Sequence, residues 1–242
     1  MTAIYDDPEF FKHYQQMSRS QKGLQAAGEW PDFKALLPNL TGKKILDLGC
    51  GYGWHCQYAA DQGATKVLGV DASEKMLQMA QKQTDSTKIT YQKADIEHFT
   101  APKESYDVVL SSLVLHYIQD FSAVVRNVHD ILTPGGIFQF TVEHPIFTAE
   151  GHQNWIYDEN GQPKYFPVDN YFNEGPRQVD FVDSVVTKYH HTLTTFVDGL
   201  LTNGFHIQRL IEPQPAPELR DLPEMQTSLR APMMLIIKAQ KI

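Results

Sequence analysis

The chain has 242 residues, 42% of them hydrophobic and 21% charged, which suits one domain with a filled core and excludes bulk disorder. A formal net charge of −8 argues against a duplex nucleic acid as partner. No apolar run is long enough to span a bilayer, and MTAIYDDPEFF lacks the basic-then-apolar order of a signal peptide, so a cytoplasmic chain without a membrane partner is expected, as monomer or homodimer.

In chain order, residues 8–22 and 29–37 read as helices broken around Gly23 and Gly28, making residues 1–40 an N-terminal helical cap. A regular alternation follows. Strands are predicted at 43–48, 66–70, 88–94, 106–112 and 136–144, with helices at 54–64, after Ser73, and at 120–132. Ser73 is a helix N-cap, with Met76, Leu77 and Ala80 on one face behind it. The third helix is amphipathic: Val124, Val125, Val128, Ile131 and Leu132 share a side. Pro134-Gly135-Gly136 reads as a turn. Strands alternating with helices imply βαβ units and a parallel sheet.

The alternation stops at residues 145–184, where Phe147, Trp155, Tyr157, Tyr165, Phe166, Tyr171, Phe172 and Phe181 lie among Gly, Pro, Asn and Asp. So long a connection with so many aromatics is expected to be an insertion folded over the sheet and the substrate site. A helix at 192–203 and strands at 205–213 and 232–240 complete one domain, 1–242, with a Pro-rich loop before the last strand.

The segment that carries chemistry is IleLeuAspLeuGlyCysGlyTyrGlyTrp, 45–54. Asp47, Gly49, Gly51 and Gly53 alternate directly after a strand and before a helix. Glycines permit the tight turn and close approach of a ligand to backbone, and the helix start offers free N–H groups, so this is nucleotide-binding geometry. Trp54 stands where the dinucleotide G-x-G-x-x-G pattern needs its third glycine. Asp47 would repel a pyrophosphate but could accept hydrogen bonds from an ammonium, which points to S-adenosylmethionine (SAM) rather than NAD; its bland alternative is a helix cap. Cys50 and Cys56 are spaced neither for redox chemistry nor for zinc, and no metal is expected.

Residues 43–143 resemble the class I SAM-dependent methyltransferases. Four signatures carry the likeness: the D-x-G-x-G-x-G run at 47–53, Asp71 ending ValLeuGlyValAsp, Asp95-Ile96 after the third strand, and LeuThrProGlyGly at 132–136. The resemblance implies a Rossmann-like α/β fold: a seven-stranded, mostly parallel sheet in the order 3-2-1-4-5-7-6, strand seven antiparallel, with helices on both faces. It implies a SAM site with Asp71 on the ribose hydroxyls and Asp95-Ile96 at the adenine. The set extends to Tyr14, Arg19, Asp47, Gly49, Cys50, Gly51, Ala72, Met76, Ser111 and His116, with Arg19 on the cofactor carboxylate and S-adenosylhomocysteine (SAH) as product. SerLeuValLeuHisTyr, ValGluHisProIle and LysTyrHisHisThr are together similar to a group of bacterial small-molecule methyltransferases.

Methyl transfer to an O or N atom needs alignment and at most a base. His116, His144 and His190 are the candidates, with Glu143, Tyr189 and His191 beside them. A structural hydrogen bond is the competing role for each histidine. Three other readings stay open: a SAM-binding module without catalysis, an NAD-dependent dehydrogenase on the same fold, and a relative that transfers another group from a SAM derivative.

Overall fold

The computed structural model describes residues 4–217, 220, 221 and 223–242. The chain enters through a 3-10 turn, Ile4–Asp6, then α1 (Pro8–Tyr14), α2 (Ser18–Lys22) and α3 (Trp30–Leu36). Asp7 caps α1 by accepting from the Glu9 and Phe10 amides. The helix expected over 8–22 is two helices, because Gln15–Met17 turn the chain between them.

The βα alternation then runs β1 (Lys44–Leu48), α4 (Trp54–Asp61), β2 (Lys66–Asp71), α5 (Glu74–Gln83), β3 (Ile89–Lys93), β4 (Tyr106–Ser112), a 3-10 turn Leu115–Tyr117, α6 (Phe121–Ile131) and β5 (Leu132–Glu143). Ser73 caps α5 through the Met76 amide, as expected. The turn expected at 134–136 instead lies inside β5. The pairing with β4 jumps from Tyr106↔Leu132 to Val108↔Ile137, so Thr133–Gly136 form a bulge, with Gly135 at φ 73°.

Residues 145–184 are more ordered than their composition suggested. They hold α7 (Pro145–Ala149), a small hairpin of β6 (Ile156–Tyr157) and β7 (Pro163–Tyr165), and a longer hairpin of β8 (Gly175–Phe181) and β9 (Ser184–His190), which runs past the expected end of the insertion. The chain closes with α8 (Leu193–Thr202), β10 (Phe205–Ile211), a short α9 (Pro223–Gln226) and β11 (Met234–Lys241).

The seven-stranded sheet has the order β10-β11-β5-β4-β1-β2-β3. Numbered along the sheet's own strands this is 3-2-1-4-5-7-6, and the last strand is antiparallel to both neighbours, as expected. Alternate side chains feed a core on each face. Leu46 and Val109 pack with Val124 and Val128 of α6 and Phe196 and Leu200 of α8. Ile45 and Val108 pack on the other face with Phe33 of α3 and Ala59 of α4.

A third, smaller core joins the two coverings of the sheet. Phe10 of α1, Tyr117 of the turn after β4, and Val179 and Val186 of the long hairpin pack together with Tyr5, Tyr14 and Phe181. The entry segment is also tied down by Asp6, whose carboxylate accepts from Ser73 Oγ at 2.6 Å and the Lys75 amide at 3.1 Å, at the start of α5. Burial pushes its pKa up, but these bonds and Lys93 outweigh that and hold it below the usual value. Asp6→Ala is expected to weaken the docking of residues 4–14 by about 1–2 kcal/mol, hence roughly 5–30-fold faster amide exchange there, with the β5 amides unchanged. Equal exchange in both proteins would show that the tether lies elsewhere.

Candidate active site

The carboxyl ends of β1, β2, β4 and β5 open into a cavity of about 960 Å³, roofed by the entry helices and by residues of the 145–184 segment. In open α/β sheets ligands bind at this edge. The glycine turn after β1 is held from behind. Gly49 N and Cys50 N donate to Val70 O at 2.7 and 2.9 Å, and Gly51 N donates to Asp71 Oδ2 at 2.9 Å. Gly49 has φ 75°, and a Cβ there would stand 2.2 Å from a Val114 methyl. Gly51, at φ 52°, would meet nothing within 4 Å, so its missing side chain leaves open space beside the Asp71 carboxylate.

Of the residues expected to hold the cofactor, Tyr14, Arg19, Gly49, Gly51, Asp71, Ala72, Met76, Asp95, Ile96 and His116 all line this cavity. Asp71 also accepts from the Ser73 amide at 2.9 Å; burial pushes its pKa up while the amide bonds oppose the rise. Arg19 donates to Glu29 Oε1 at 2.5 Å and to Ser112 Oγ at 3.1 Å.

Three expected contacts are displaced, Asp47 and Ser111 because alternate side chains of a strand face opposite sides. Asp47 is 1% exposed and lies behind the turn, not in the cavity wall. Its Oδ2 accepts from Cys56 Sγ at 3.4 Å and its Oδ1 has no hydrogen-bond partner among the described residues. Cys50 is buried, its sulfur against Gly69. Ser111 is buried and bonds Leu48 O, so its neighbour Ser112 faces the cavity instead.

The three histidines separate in the same way. His144 lies outside the cavity lining: its Nδ1 caps α7 at the Ile146 amide and its Nε2 meets Glu212 Oε1 at 2.9 Å. His190 is fully buried between Thr148 Oγ1 and Tyr171 O, both at 2.8 Å, which makes it a brace within the insertion. Neither is placed to receive a substrate proton. His191 likewise bonds Ile118 O. His116 does line the cavity. Burial lowers its pKa to about 4, so the ring is neutral at pH 7, and its Nδ1 accepts from the Glu143 amide at 3.4 Å.

Sequence reasoning missed Glu29, Gln153 and Lys188, all of them in the cavity wall. Glu29 is 3% exposed and carries an Oε2 without a hydrogen-bond partner among the described residues. Lys188 occupies an inward position of β9, in the row Val186, Lys188, His190. A lysine in that row is a legible signal once a strand is assigned there, but the sequence pattern predicts no element over 185–191. Among the described residues no three His, Cys, Asp or Glu side chains converge as metal ligands. No helix among them is long and apolar enough to cross a membrane.

Comparison with known proteins fits this geometry. A family model described as a methyltransferase domain matches residues 46–140. The crystal structure of an S-adenosylmethionine dependent methyltransferase from Mesorhizobium loti is 41% identical and covers 90% of this chain and 100% of that one, with a TM-score of 0.84. A candidate S-adenosylmethionine dependent methyltransferase from Listeria monocytogenes is 52% identical over 91% of this chain and 99% of that one, with a TM-score of 0.87. An uncharacterized Haemophilus influenzae protein is 35% identical over 99% of this chain and 97% of its own length. The chain belongs to the class I SAM-dependent methyltransferases. It is an enzyme with SAM as its methyl donor, which sets aside both the dehydrogenase and the non-catalytic module. The cavity suits that cofactor: open space at Gly51, a carboxylate at Asp71, and an unpaired buried carboxylate oxygen on Glu29 beside the Arg19 guanidinium, opposite charges matching those of an amino acid.

Burial raises the Asp47 pKa to about 7, with Asp71 adding to the rise against the Cys56 bond. Between about pH 4 and pH 7 the folded chain therefore keeps a proton that the unfolded chain releases, and Asp47 subtracts stability as pH rises through that window. Asp47→Asn removes this titration. Measured by urea unfolding, the stability of Asp47→Asn relative to the parent should climb by up to roughly 4 kcal/mol between pH 4 and pH 7.5 and then level off. A pH-independent difference would mean that Asp47 titrates as an exposed carboxylate does.

Proposed function

We propose that the enzyme transfers a methyl group from SAM to an oxygen or nitrogen atom of a small molecule held under residues 145–184. The observation that carries this reading is that one continuous cavity has the glycine turn and Asp71 in one wall and the insertion's Phe147 and Gln153, with Lys188 of β9, in another. A donor bound at the first wall faces an acceptor bound at the second. On this reading 1–242 acts as one domain, with the 1–40 cap closing over the donor and the insertion over the acceptor. No nucleic-acid or membrane surface enters the reading.

SAM supplies an activated methyl on a sulfonium; the protein's part is to bind, orient and keep water out. Asp71 is assigned to the ribose hydroxyls, Asp95 and Ile96 to the adenine, and the Gly49–Gly51 backbone to close approach. Ala72, Met76 and Tyr14 flank these groups. Arg19 is assigned to the cofactor carboxylate, and the unpaired Glu29 oxygen to its ammonium. Asp47, one layer behind, supports the turn. Good alignment of donor and acceptor is worth about 7–11 kcal/mol of barrier, so no covalent role for the protein is required.

Calorimetry tests the assignment. SAM and SAH are expected to bind and NAD not to bind. Asp71→Ala should weaken SAH by ~10-fold or more through loss of charge-assisted hydrogen bonds. Glu29→Gln should weaken SAH yet leave 5′-methylthioadenosine, which lacks the amino-acid end, unaffected. Unchanged SAH affinity in Asp71→Ala would contradict the ribose placement, and equal losses for both ligands in Glu29→Gln would remove the ammonium contact.

A further inference from the structure

A second polar cluster lines the cavity away from the glycine turn. Lys188 Nζ, its side chain 3% exposed, donates to Glu143 Oε1 at 2.5 Å and to Gln153 Oε1 at 3.1 Å. Gln153 Nε2 donates to Glu143 Oε2 at 2.6 Å. The ammonium also stands 5.0 Å from the centre of the Phe181 ring. His116 joins through its bond from the Glu143 amide. Burial pushes the Glu143 pKa up, but His116, Lys188 and the bonds from Lys188 and Gln153 outweigh it, so the carboxyl stays below its usual range and ionised.

These four side chains come from four separate segments: the turn after β4, the end of β5, the loop after α7, and β9. A buried ion pair is a poor device for stability, since well-packed apolar residues of the same volume usually do as well or better. Phe147, Val186, Met233 and Met234 add apolar surface to the same cavity wall. Apolar walls with a few convergent polar groups are the composition of a small-molecule subsite.

The hydrogen-bonding inventory narrows the ligand. Glu143 and Lys188 cancel in charge, so a charged head group would leave a net charge buried. Lys188 has three protons, of which two are used by protein partners among the described residues. His116 accepts at Nδ1, so the proton of its neutral ring sits on Nε2, a donor. Each Glu143 oxygen carries two lone pairs and is engaged by one donor. The cluster therefore offers both donors and acceptors. A protonated amine only donates and a carboxylate only accepts, whereas a hydroxyl donates once and accepts twice.

We propose that this cluster is the acceptor subsite, that the acceptor is an uncharged, largely apolar molecule bearing a hydroxyl, and that Glu143 receives its proton. The inference rests on the SAM-dependent reading above and settles its oxygen-or-nitrogen alternative for oxygen. The hydroxyl oxygen forms the new bond to the methyl carbon while the carbon–sulfur bond breaks and its electron pair stays on sulfur. As the oxygen gains its third bond its proton becomes strongly acidic, so even a weakly basic carboxylate can take it and pass it to solvent when the product leaves. Lys188 and His116 hold the oxygen in line.

The test uses the SAH-loaded protein and three probes that share a ring and differ in head group: benzyl alcohol, benzylamine and benzoate, titrated by NMR. Benzyl alcohol is expected to bind at least ~10-fold more tightly than either charged probe. The double variant Glu143→Gln/Lys188→Met removes both charges together, so neither is left buried alone. It should keep SAH affinity within ~2-fold and lose the preference for the alcohol. Glu143→Gln alone, nearly isosteric, should also lose it, which keeps the test available if the double variant does not fold. A charged probe binding as well as the alcohol, no binding by any probe, or a preference that survives in both variants overturns the proposal. Failure of the parent protein to bind SAH would instead defeat the cofactor reading.

Discussion

The glycine turn after β1 is braced against the end of β2, and much of the site hangs from that brace. Two amides of the turn bond the Val70 carbonyl and a third bonds Asp71. Asp71 in turn accepts the Ser73 amide, and the Ser73 hydroxyl reaches Asp6 in the entry segment. A single chain of hydrogen bonds thus runs from the turn through the end of β2 and the start of α5 to the cap. Asp71 is both a strut in this chain and part of the cavity wall. Anything that pulls on its carboxylate bears on the turn and on the cap together, giving the sheet edge and its covering a physical link that proximity alone would not.

Besides the Asp6 bonds, the covering is held by aromatic packing. Tyr5 meets Phe10, Tyr14 and Tyr117 edge-on, with centroids 5.1, 5.1 and 6.3 Å away, and its hydroxyl lies 3.2 Å from that of Tyr117. Phe181 of the long hairpin packs against the same Phe10. Cap and insertion therefore contact each other as well as the sheet. Edge-to-face ring pairs are each worth about 0.5–1.5 kcal/mol beyond area burial, enough to close a cavity and small enough to be opened for ligand exchange.

How much of this could be read beforehand follows from the range of each signal. The strands, the α6 face and the Ser73 cap rest on local periodicity and local hydrogen bonds, and their residues appear where the pattern puts them. The order of the strands is long-range and came through family likeness. Two features failed locally. Thr133–Gly136 look like a turn because Pro and Gly dominate, yet the neighbouring strand recruits them into a bulge. The 145–184 segment alternates too weakly to announce hairpins, and the pattern predicts no strand continuing to His190, so Lys188, although within the LysTyrHisHisThr motif, is not singled out as an inward residue. Of the cavity wall, Asp71, Asp95, Gly49 and Gly51 were legible because a motif fixes them relative to a strand end. Glu29, paired with Arg19 ten positions earlier, and Gln153, paired with residues of β5 and β9, have no motif; only the fold brings them to the cavity. Asp47 shows the opposite error, a motif residue whose strand position turns it behind the wall.

The distribution of charge along the cavity bears on what each end can bind. Near the glycine turn the carboxyl groups of Glu29 and Asp71 and the guanidinium of Arg19 line the cavity. At the other end Glu143 and Lys188 balance. A sulfonium carries a full positive charge but no proton to donate, so hydrogen bonds cannot select it; only a negative field or aromatic faces can. At an effective dielectric near 20, a charge about 4 Å from an opposite one gains about 4 kcal/mol, and the gain vanishes when the sulfonium becomes a thioether. A carboxyl group placed near the sulfonium would therefore favour the charged donor over the neutral sulfur of the product. On the acceptor proposed above, the balanced pair at the other end would hold a neutral substrate and its equally neutral methyl ether without a comparable change.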